Sequence, residues 1–430
     1  MGLPFTPAAL RAASSLQALL LSLALVAVFA LGLLVSTTSS AQRPSLLDSL
    51  TPSAALPAAH VRQLRRAIAS TAAASAARLA ALNAAFDPAA ERESGRYRLG
   101  ALGLDEYSGE LEGNWTKLVG GSAKAAELEW VARRVLNRLE LAAAPAQQGE
   151  VPLPQTVWST APAADEPIPQ FAHWKFHNPA WDVRKLDDDD LVKWVRRAFG
   201  EGSEVASRFE RLPLKVLQSD AFRYLVLLIE GGAYGDSDTT AVKPIERWGE
   251  GFTDATDPAL AAHQDSLANL WSLHDASLPP AAGRARLPPP ALIISPELAS
   301  SHGQHDDPQP WWVANQFARR IQITQWAIAA QPGHPVFWDT LSRVFAVQDG
   351  IDRGAVERNE VGVLEWTGPG VFTDAVMRYL RGRWGFDYDA LVTLTEPIRV
   401  GDVLILPDRA FQAYASEPSE VEANSPQACV

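Results

Sequence analysis

The alternation of apolar and polar positions changes character within the stretch Leu212 to Trp248. From Ser219 to Glu230, Phe222, Leu225, Val226, Leu228 and Ile229 are apolar at helical spacing, which predicts a buried helix. Gly231-Gly232 stops it, because glycine ends helices at no steric cost. A short strand over Ala233 and Tyr234 follows and delivers Asp236-Ser237-Asp238 at its end.

The same reading organises the rest of the chain. An apolar run from Leu16 to Val35 carries no charge, and about 20 such residues suffice to cross a bilayer. It predicts an uncleaved signal anchor, with 1–15 as a cytoplasmic tail. Residues 36–151 read as a stem: Ser/Thr/Pro-rich at first, then Ala-rich and helical over His60 to Phe86, with Val61, Ile68, Ser75 and Leu82 in heptad register. That helix either self-associates or lies on the catalytic domain. A second helix is expected over Lys124 to Ala143, a linker over 144–151, and a globular core from Pro152 to residue 408. Within that core the pattern predicts a helix over Leu191 to Phe199 capped by the acidic run Asp187 to Asp190. It also predicts a loop-rich insertion over 249–290, a buried strand over Ala291 to Ile294, and a helix over Gln316 to Ala330. Thr367-Gly368-Pro369-Gly370 reads as a tight turn opening a helix, and residues 409–430, acidic and Pro/Ser-containing, as a disordered tail.

Composition narrows the class. With 430 residues, 47% of them hydrophobic, the chain can bury a large α/β core. A net charge of −12 argues against a nucleic-acid partner, which needs a basic face. The lone cysteine, Cys429, allows no intramolecular disulfide. Asn114-Trp115-Thr116 is an N-glycosylation sequon, mild support for a lumenal placement.

Candidate chemistry centres on carboxylates. Asp236 and Asp238, one residue apart at a strand end, can converge on one hard divalent cation, and such a cation can neutralise a diphosphate leaving group. Asp220 and Arg223 share a helix face at i, i+3 and sit just upstream. Two further acidic runs, Asp187 to Asp190 and Asp387-Tyr388-Asp389, read as solvated surface. His302 and His305 read as an exposed polar loop. Glu297, just past a strand end, is a candidate acceptor contact. The amides of the Thr367-Gly368 turn are candidates for a phosphate or a sugar hydroxyl.

The run S-D-x-x-R-Y, then G-G-x-Y-x-D-x-D-T, then K-P-I resembles the signature of glycosyltransferase family 32. Supporting segments are Leu153 to Thr160, Asn178-Pro179-Ala180-Trp181, Gln325-Trp326, Gln331-Pro332-Gly333-His334-Pro335, Trp366 to Asp374, and Asp402 to Pro407. Together they cover roughly 152–408, and their order is similar to that of fungal α-1,6-mannosyltransferases that start outer chains on N-linked glycans. The resemblance implies a GT-A fold with a doubly wound nucleotide-sugar-binding sheet, GDP-mannose as donor, Mn²⁺ as cofactor, and retention of configuration. It implies a high-mannose N-glycoprotein acceptor and a Golgi type II membrane placement. By the same resemblance Asp238 ligates the metal, Asp236 binds metal or ribose, Asp220 and Arg223 hold the donor sugar and diphosphate, and Trp158 stacks on the base. The same family includes inositol-phosphoceramide mannosyltransferases, and a non-catalytic Golgi scaffold is the alternative of a different class. The C-terminal residues depart from the family's Gly-rich, His-containing ending.

Overall fold

The computed structural model describes residues 97–139, 153–248, 290–299, 312, 315–411 and 429–430, without 164, 166, 359–360, 387 and 395–396. The expected span over 16–35, the Ala-rich helix, the insertion over 249–289, and His302 and His305 lie outside these residues. Among the described residues no helix is long and apolar enough to cross a membrane.

Two helices open the described chain, α1 (Leu104–Leu118) and α2 (Ala125–Asn137). Strand β1 (Thr156–Thr160) leads through α3 (Pro169–His177) to β2 (Asp182–Leu186), then α4 (Asp188–Phe199), α5 (Glu204–Arg211), α6 (Lys215–Ile229) and β3 (Gly232–Gly235). After the insertion come β4 (Leu292–Ile294), β5 (Pro296–Ala299), β6 (Ile321–Ile323) and β7 (Ala327–Ala330). Helices α7 (Pro335–Asp352), α8 (Val363–Trp366) and α9 (Pro369–Trp384) precede β8 (Ile398–Val400) and β9 (Val403–Ile405).

The helices form where local chemistry satisfies their ends. Asp187 caps α4 by accepting from the Asp190 amide at 2.8 Å, and three further acids fill the first turn beside the positive end of the dipole. Pro369 opens α9 as a first-turn residue, and Gly385 closes it in the left-handed region. Helix α6 is buried on nearly every face, so tertiary packing, not an amphipathic stripe, holds it. Its start at Lys215 lies four residues before the expected Ser219.

Seven strands make one mixed sheet in the order β2-β1-β3-β7-β4-β9-β8. β1 runs parallel to β2 and β3, and β4 parallel to β9, while β7 is antiparallel to both β3 and β4. The expected doubly wound sheet is therefore interrupted by one reversed strand. Since β7 opposes both neighbours, β3 and β4 point the same way, and the C-terminal ends of β1, β3 and β4 share one edge with the start of β7.

That reversed strand corrects the expected helix over Gln316 to Ala330, which is instead β6, a turn at 324–326, and β7. Ala327–Ala330 is buried on both faces and hydrogen-bonded on both sides. A strand covered on both faces shows no alternation, so its alanines mimic a helical run.

The stem boundary is corrected too. Tyr107, Leu111, Trp115 and Leu118 of α1 and Leu128, Val131 and Val135 of α2 belong to the main hydrophobic core. Trp115 packs edge-on against Trp338 with centroids 4.7 Å apart, and the Trp338 indole N–H donates to the Leu111 carbonyl at 3.0 Å. The folded body thus includes residues from 97 onward, not only those after 152. At the other end Ala410, Phe411, Cys429 and Val430 are buried in the second core, under the opposite sheet face, so part of the expected disordered tail is packed.

A chain begun at residue 152 strips α1 and α2 from this core, and it is predicted to lack a cooperative thermal transition by circular dichroism. Trp338→Ala in the full chain is predicted to lower stability by about 3–5 kcal/mol, read from denaturant unfolding.

Candidate active site

Helix α6 carries Asp220 and Arg223 into the sheet's C-terminal edge among apolar neighbours, where both are at most 4% exposed. The helix then ends at Gly231 and Gly232, with φ of +68° and +96°. A Cβ at Gly232 would stand 2.4 Å from the Thr156 carbonyl, so only glycine lets the chain turn this tightly into β3. Strand β3 places Tyr234 against the Arg223 guanidinium, 4.7 Å from its ring centroid, and ends at Asp236.

The polar groups there are densely connected. Arg223 donates to Asp220 Oδ1 at 2.7 Å and to the Gln325 carbonyl at 2.9 Å, and lies 3.3 Å from Asp236 Oδ1. Gln325 Nε2 donates to Asp220 Oδ1 at 3.3 Å, and the Thr367 hydroxyl to Asp220 Oδ2 at 2.8 Å. The Tyr224 hydroxyl meets Gln325 Oε1 and the Thr367 carbonyl. Asp236 donates its amide to the Trp326 carbonyl at 2.9 Å, extending the β3–β7 pairing by one bond. Tyr234 donates to Asp236 Oδ1 at 2.9 Å. Thr239 closes the following turn by donating its amide (3.0 Å) and hydroxyl (2.6 Å) to the Asp236 carbonyl. Asp238 is exposed at the tip of that turn, with no hydrogen bond or ion pair among the described residues.

Burial sets the electrostatics. It pushes the Asp220 carboxyl up to about 6, against the opposing pull of Arg223 and Thr367. Asp236 is also raised by burial, with Arg223 and Tyr234 opposing and the Asp238 charge adding to the rise. Burial works against the Arg223 charge, but Asp236, Tyr234 and Asp220 outweigh it and hold the guanidinium protonated. A cation beside Asp236 and Asp238 would relieve their mutual repulsion. Among the described residues no three His, Cys, Asp or Glu side chains come together as ligands. Two carboxylates suit a hard cation that completes its shell with phosphate and water oxygens.

The remaining expected residues fall elsewhere. Trp158 is 2% exposed, donates its indole N–H to the Gly231 carbonyl at 2.9 Å, and has the Arg184 guanidinium 5.0 Å over its ring; here it packs rather than presenting an open stacking face. The amides of Thr367 and Gly368 both donate to the Val363 carbonyl, at 3.1 and 2.9 Å, so they are not open to a phosphate. Thr367 joins the site through its hydroxyl instead. Glu297 lies on β5, accepts from Gln322 Nε2 at 2.7 Å, and has its pKa raised by burial with Gln322 opposing. It is not joined to the Asp220–Arg223–Asp236 cluster by any hydrogen bond or ion pair described above.

Sequence reasoning noted Tyr224, Tyr234, Gln325 and Arg319 only as members of motifs and gave none of them a role in the site. Tyr234, two residues before Asp236 on a strand, carried a readable signal, because it shares a face with that aspartate. Arg319 carried none. It is 1% exposed and forks Glu365 (2.8 and 3.0 Å) and Asp374 (2.8 and 2.7 Å), which braces the turn from α8 to α9 that bears Thr367.

Because the folded state holds the Asp220 proton more tightly than the unfolded chain, that group's stabilising contribution is full below about 4 and lost as pH rises through about 6. Asp220→Asn removes this dependence. The melting temperature of the variant minus that of the wild type is predicted to be more positive at pH 7.5 than at pH 4.5, measured by scanning calorimetry.

The description "Glycosyltransferase sugar-binding region containing DXD motif" fits residues 165–253, which hold α6, β3 and the Asp236–Asp238 turn. An initiation-specific α-1,6-mannosyltransferase of Schizosaccharomyces pombe is 32% identical over 284 residues, 65% of this chain and 62% of that protein. Proteins of the same name from Candida albicans (24% identical, 64% of this chain, 70% of that one) and Saccharomyces cerevisiae (25%, 56% and 58%) are also similar. The chain therefore matches about three-fifths of the length of the S. pombe relative. The solved PaToxG glycosyltransferase aligns over 60% of this chain and 79% of its own, at 16% identity and a TM-score of 0.31, too low a likeness to bear on the fold. In the matched region, with its Asp-x-Asp turn at the sheet edge, the chain is similar to the glycosyltransferases with a DXD-containing sugar-binding region and to the fungal relatives above.

Proposed function

We propose that the chain transfers mannose from GDP-mannose in α-1,6 linkage to the core of N-linked glycans, with a divalent metal, and with retention of configuration. The observation that carries this reading is the buried Asp220–Arg223–Asp236 cluster opening onto an exposed Asp238 at the sheet edge. The names of the fungal relatives supply the sugar and the linkage. The guanine, the choice of Mn²⁺ and a lumenal Golgi placement behind a membrane anchor over 16–35 follow the family resemblance.

Each residue has a task in this reading. Asp238 and Asp236 would hold the cation, which when bound supplies Lewis-acid stabilisation of the departing diphosphate. Asp220 spends three hydrogen bonds on Arg223, Gln325 and Thr367. A carboxylate has room for about four, so one position remains for a sugar hydroxyl. Arg223 keeps Nε buried without an acceptor among the described residues; an oxygen of the donor would satisfy it. The ion cluster is fixed by the fold's own side-chain bonds, so little reorganisation remains for the reacting state. Glu297, beyond β4 on the same edge, is the proposed contact for the acceptor.

The test is turnover of GDP-mannose by the full chain in detergent with a high-mannose N-glycan, with Mn²⁺ or with EDTA, and with the product linkage assigned by NMR. The expected result is a metal-dependent α-1,6 product, reduced on the order of 10²–10³-fold in Asp238→Ala, the scale of one lost electrostatic contact to the transition state. A folded protein that turns over no nucleotide sugar would instead favour the scaffold reading.

A further inference from the structure

Asp236 is approached from behind by a line of hydroxyls on three different elements. Ser219 of α6 is in hydrogen-bond contact with Thr160, the last residue of β1. Thr160 Oγ1 lies 3.1 Å from the Tyr234 hydroxyl on β3, and Tyr234 bonds Asp236 Oδ1 at 2.9 Å. Ser219 and Thr160 are half-buried and Tyr234 is fully buried.

The donor inventory fixes the direction of this line. A phenol has one proton, and an ionised carboxylate can only accept, so Tyr234 spends its proton on Asp236. In the contact with Tyr234, Thr160 must then be the donor. Having spent its own proton, Thr160 must accept from Ser219. Every O–H points toward the carboxylate, and hydrogen bonds in series polarise and strengthen one another. On the other side, Arg223 also addresses Oδ1. Among the described residues Oδ2 receives no hydrogen bond, so one oxygen of Asp236 is tied down and its partner is left for a ligand.

We propose that Ser219 and Thr160 are positioning residues for the divalent cation: through Tyr234 they hold the Asp236 carboxylate in the one orientation that reserves Oδ2 for the metal. Neither residue touches the metal or the reacting atoms. The inference rests on the metal-dependent reading above and adds the residues that pre-set its ligand.

The experiment titrates Mn²⁺ into the full-length protein with GDP present and follows free Mn²⁺ by electron paramagnetic resonance, a readout that needs no turnover. Thr160→Val keeps the shape of the side chain and deletes the hydroxyl. It is expected to weaken Mn²⁺ binding by about three- to tenfold, the size of one hydrogen bond between neutral groups. Thr160→Ser should restore affinity to within about twofold, because it returns the hydroxyl alone. Ser219→Ala, at the outer end of the line, should give a smaller loss in the same direction and serves if Thr160→Val fails to fold. Mn²⁺ affinities equal to wild type in Thr160→Val and Ser219→Ala, at unchanged melting temperature, overturn the relay and leave the proposed function standing. A wild type that binds no Mn²⁺ with GDP overturns the metal-dependent reading and the relay together.

Discussion

A guanidinium with almost no exposure to water, held between two carboxylates, is the constraint around which the sheet edge is built. Burying an ion is expensive, and breaking such a pair leaves an uncompensated charge worth several kcal/mol of destabilisation. Arg223 is tolerable there only because Asp220, Asp236, the Gln325 carbonyl and the Tyr234 ring surround it. These four partners arrive from three places: α6 itself, β3 and its end, and the turn between β6 and β7. Those elements must therefore meet in one register. The ionic contact selects a geometry more than it adds stability.

The outer shell repeats this logic with neutral groups. Thr367 reaches Asp220 from the turn before α9, and that turn is clamped by Arg319 between Glu365 and Asp374. The Asn178 side chain accepts from the Ile245 amide at 2.9 Å and donates to the Trp174 carbonyl at 3.0 Å, so the segment after the Asp-x-Asp turn is tied to α3. At a greater distance Asp402 receives Arg138 at 2.6 Å and Tyr379 at 2.8 Å, beside a His334 whose pKa burial pulls down to about 3. That neutral imidazole and its neighbours fasten α2 to the turn between β8 and β9. Segments that stood apart in the sequence as short motifs are joined here by specific side-chain bonds.

How much of this was legible depended on whether the signal was local. The helix before Gly231, the Asp187 cap and the carboxylates at 236 and 238 could be read because a cap, a glycine break and a strand end each leave a mark within a few residues. Strand β7 could not, because its alanines are small and covered on both faces, which erases the period that distinguishes strand from helix. Helix α2 was legible in kind, but an amphipathic stripe does not say which surface it will cover; α1 was not, because its polar, glycine-containing sequence reads as irregular and only packing on the core holds it helical. Trp158 was assigned to an incoming base by resemblance alone; only the fold reveals Gly231 as its partner. Cys429 was invisible for a similar reason, since its carbonyl accepts from Val242 and its amide donates to Ala410, two contacts made entirely by tertiary structure.

The reversed strand has a further consequence for the order in which the molecule assembles. Strands β2, β1 and β3 can pair as soon as the chain through Gly235 exists, but β4 has no neighbour on their side until Ala327–Ala330 arrives between them. Pairings so distant along the chain close late and slowly, because loop entropy must be overcome before the contacts reward it. The strand that joins the two halves of the sheet also brings in Gln325 and Trp326, the partners of Arg223 and of the Asp236 amide. Joining the halves and enclosing Arg223 are thus coupled, and a chain with β7 unpaired lacks those two contacts of the site.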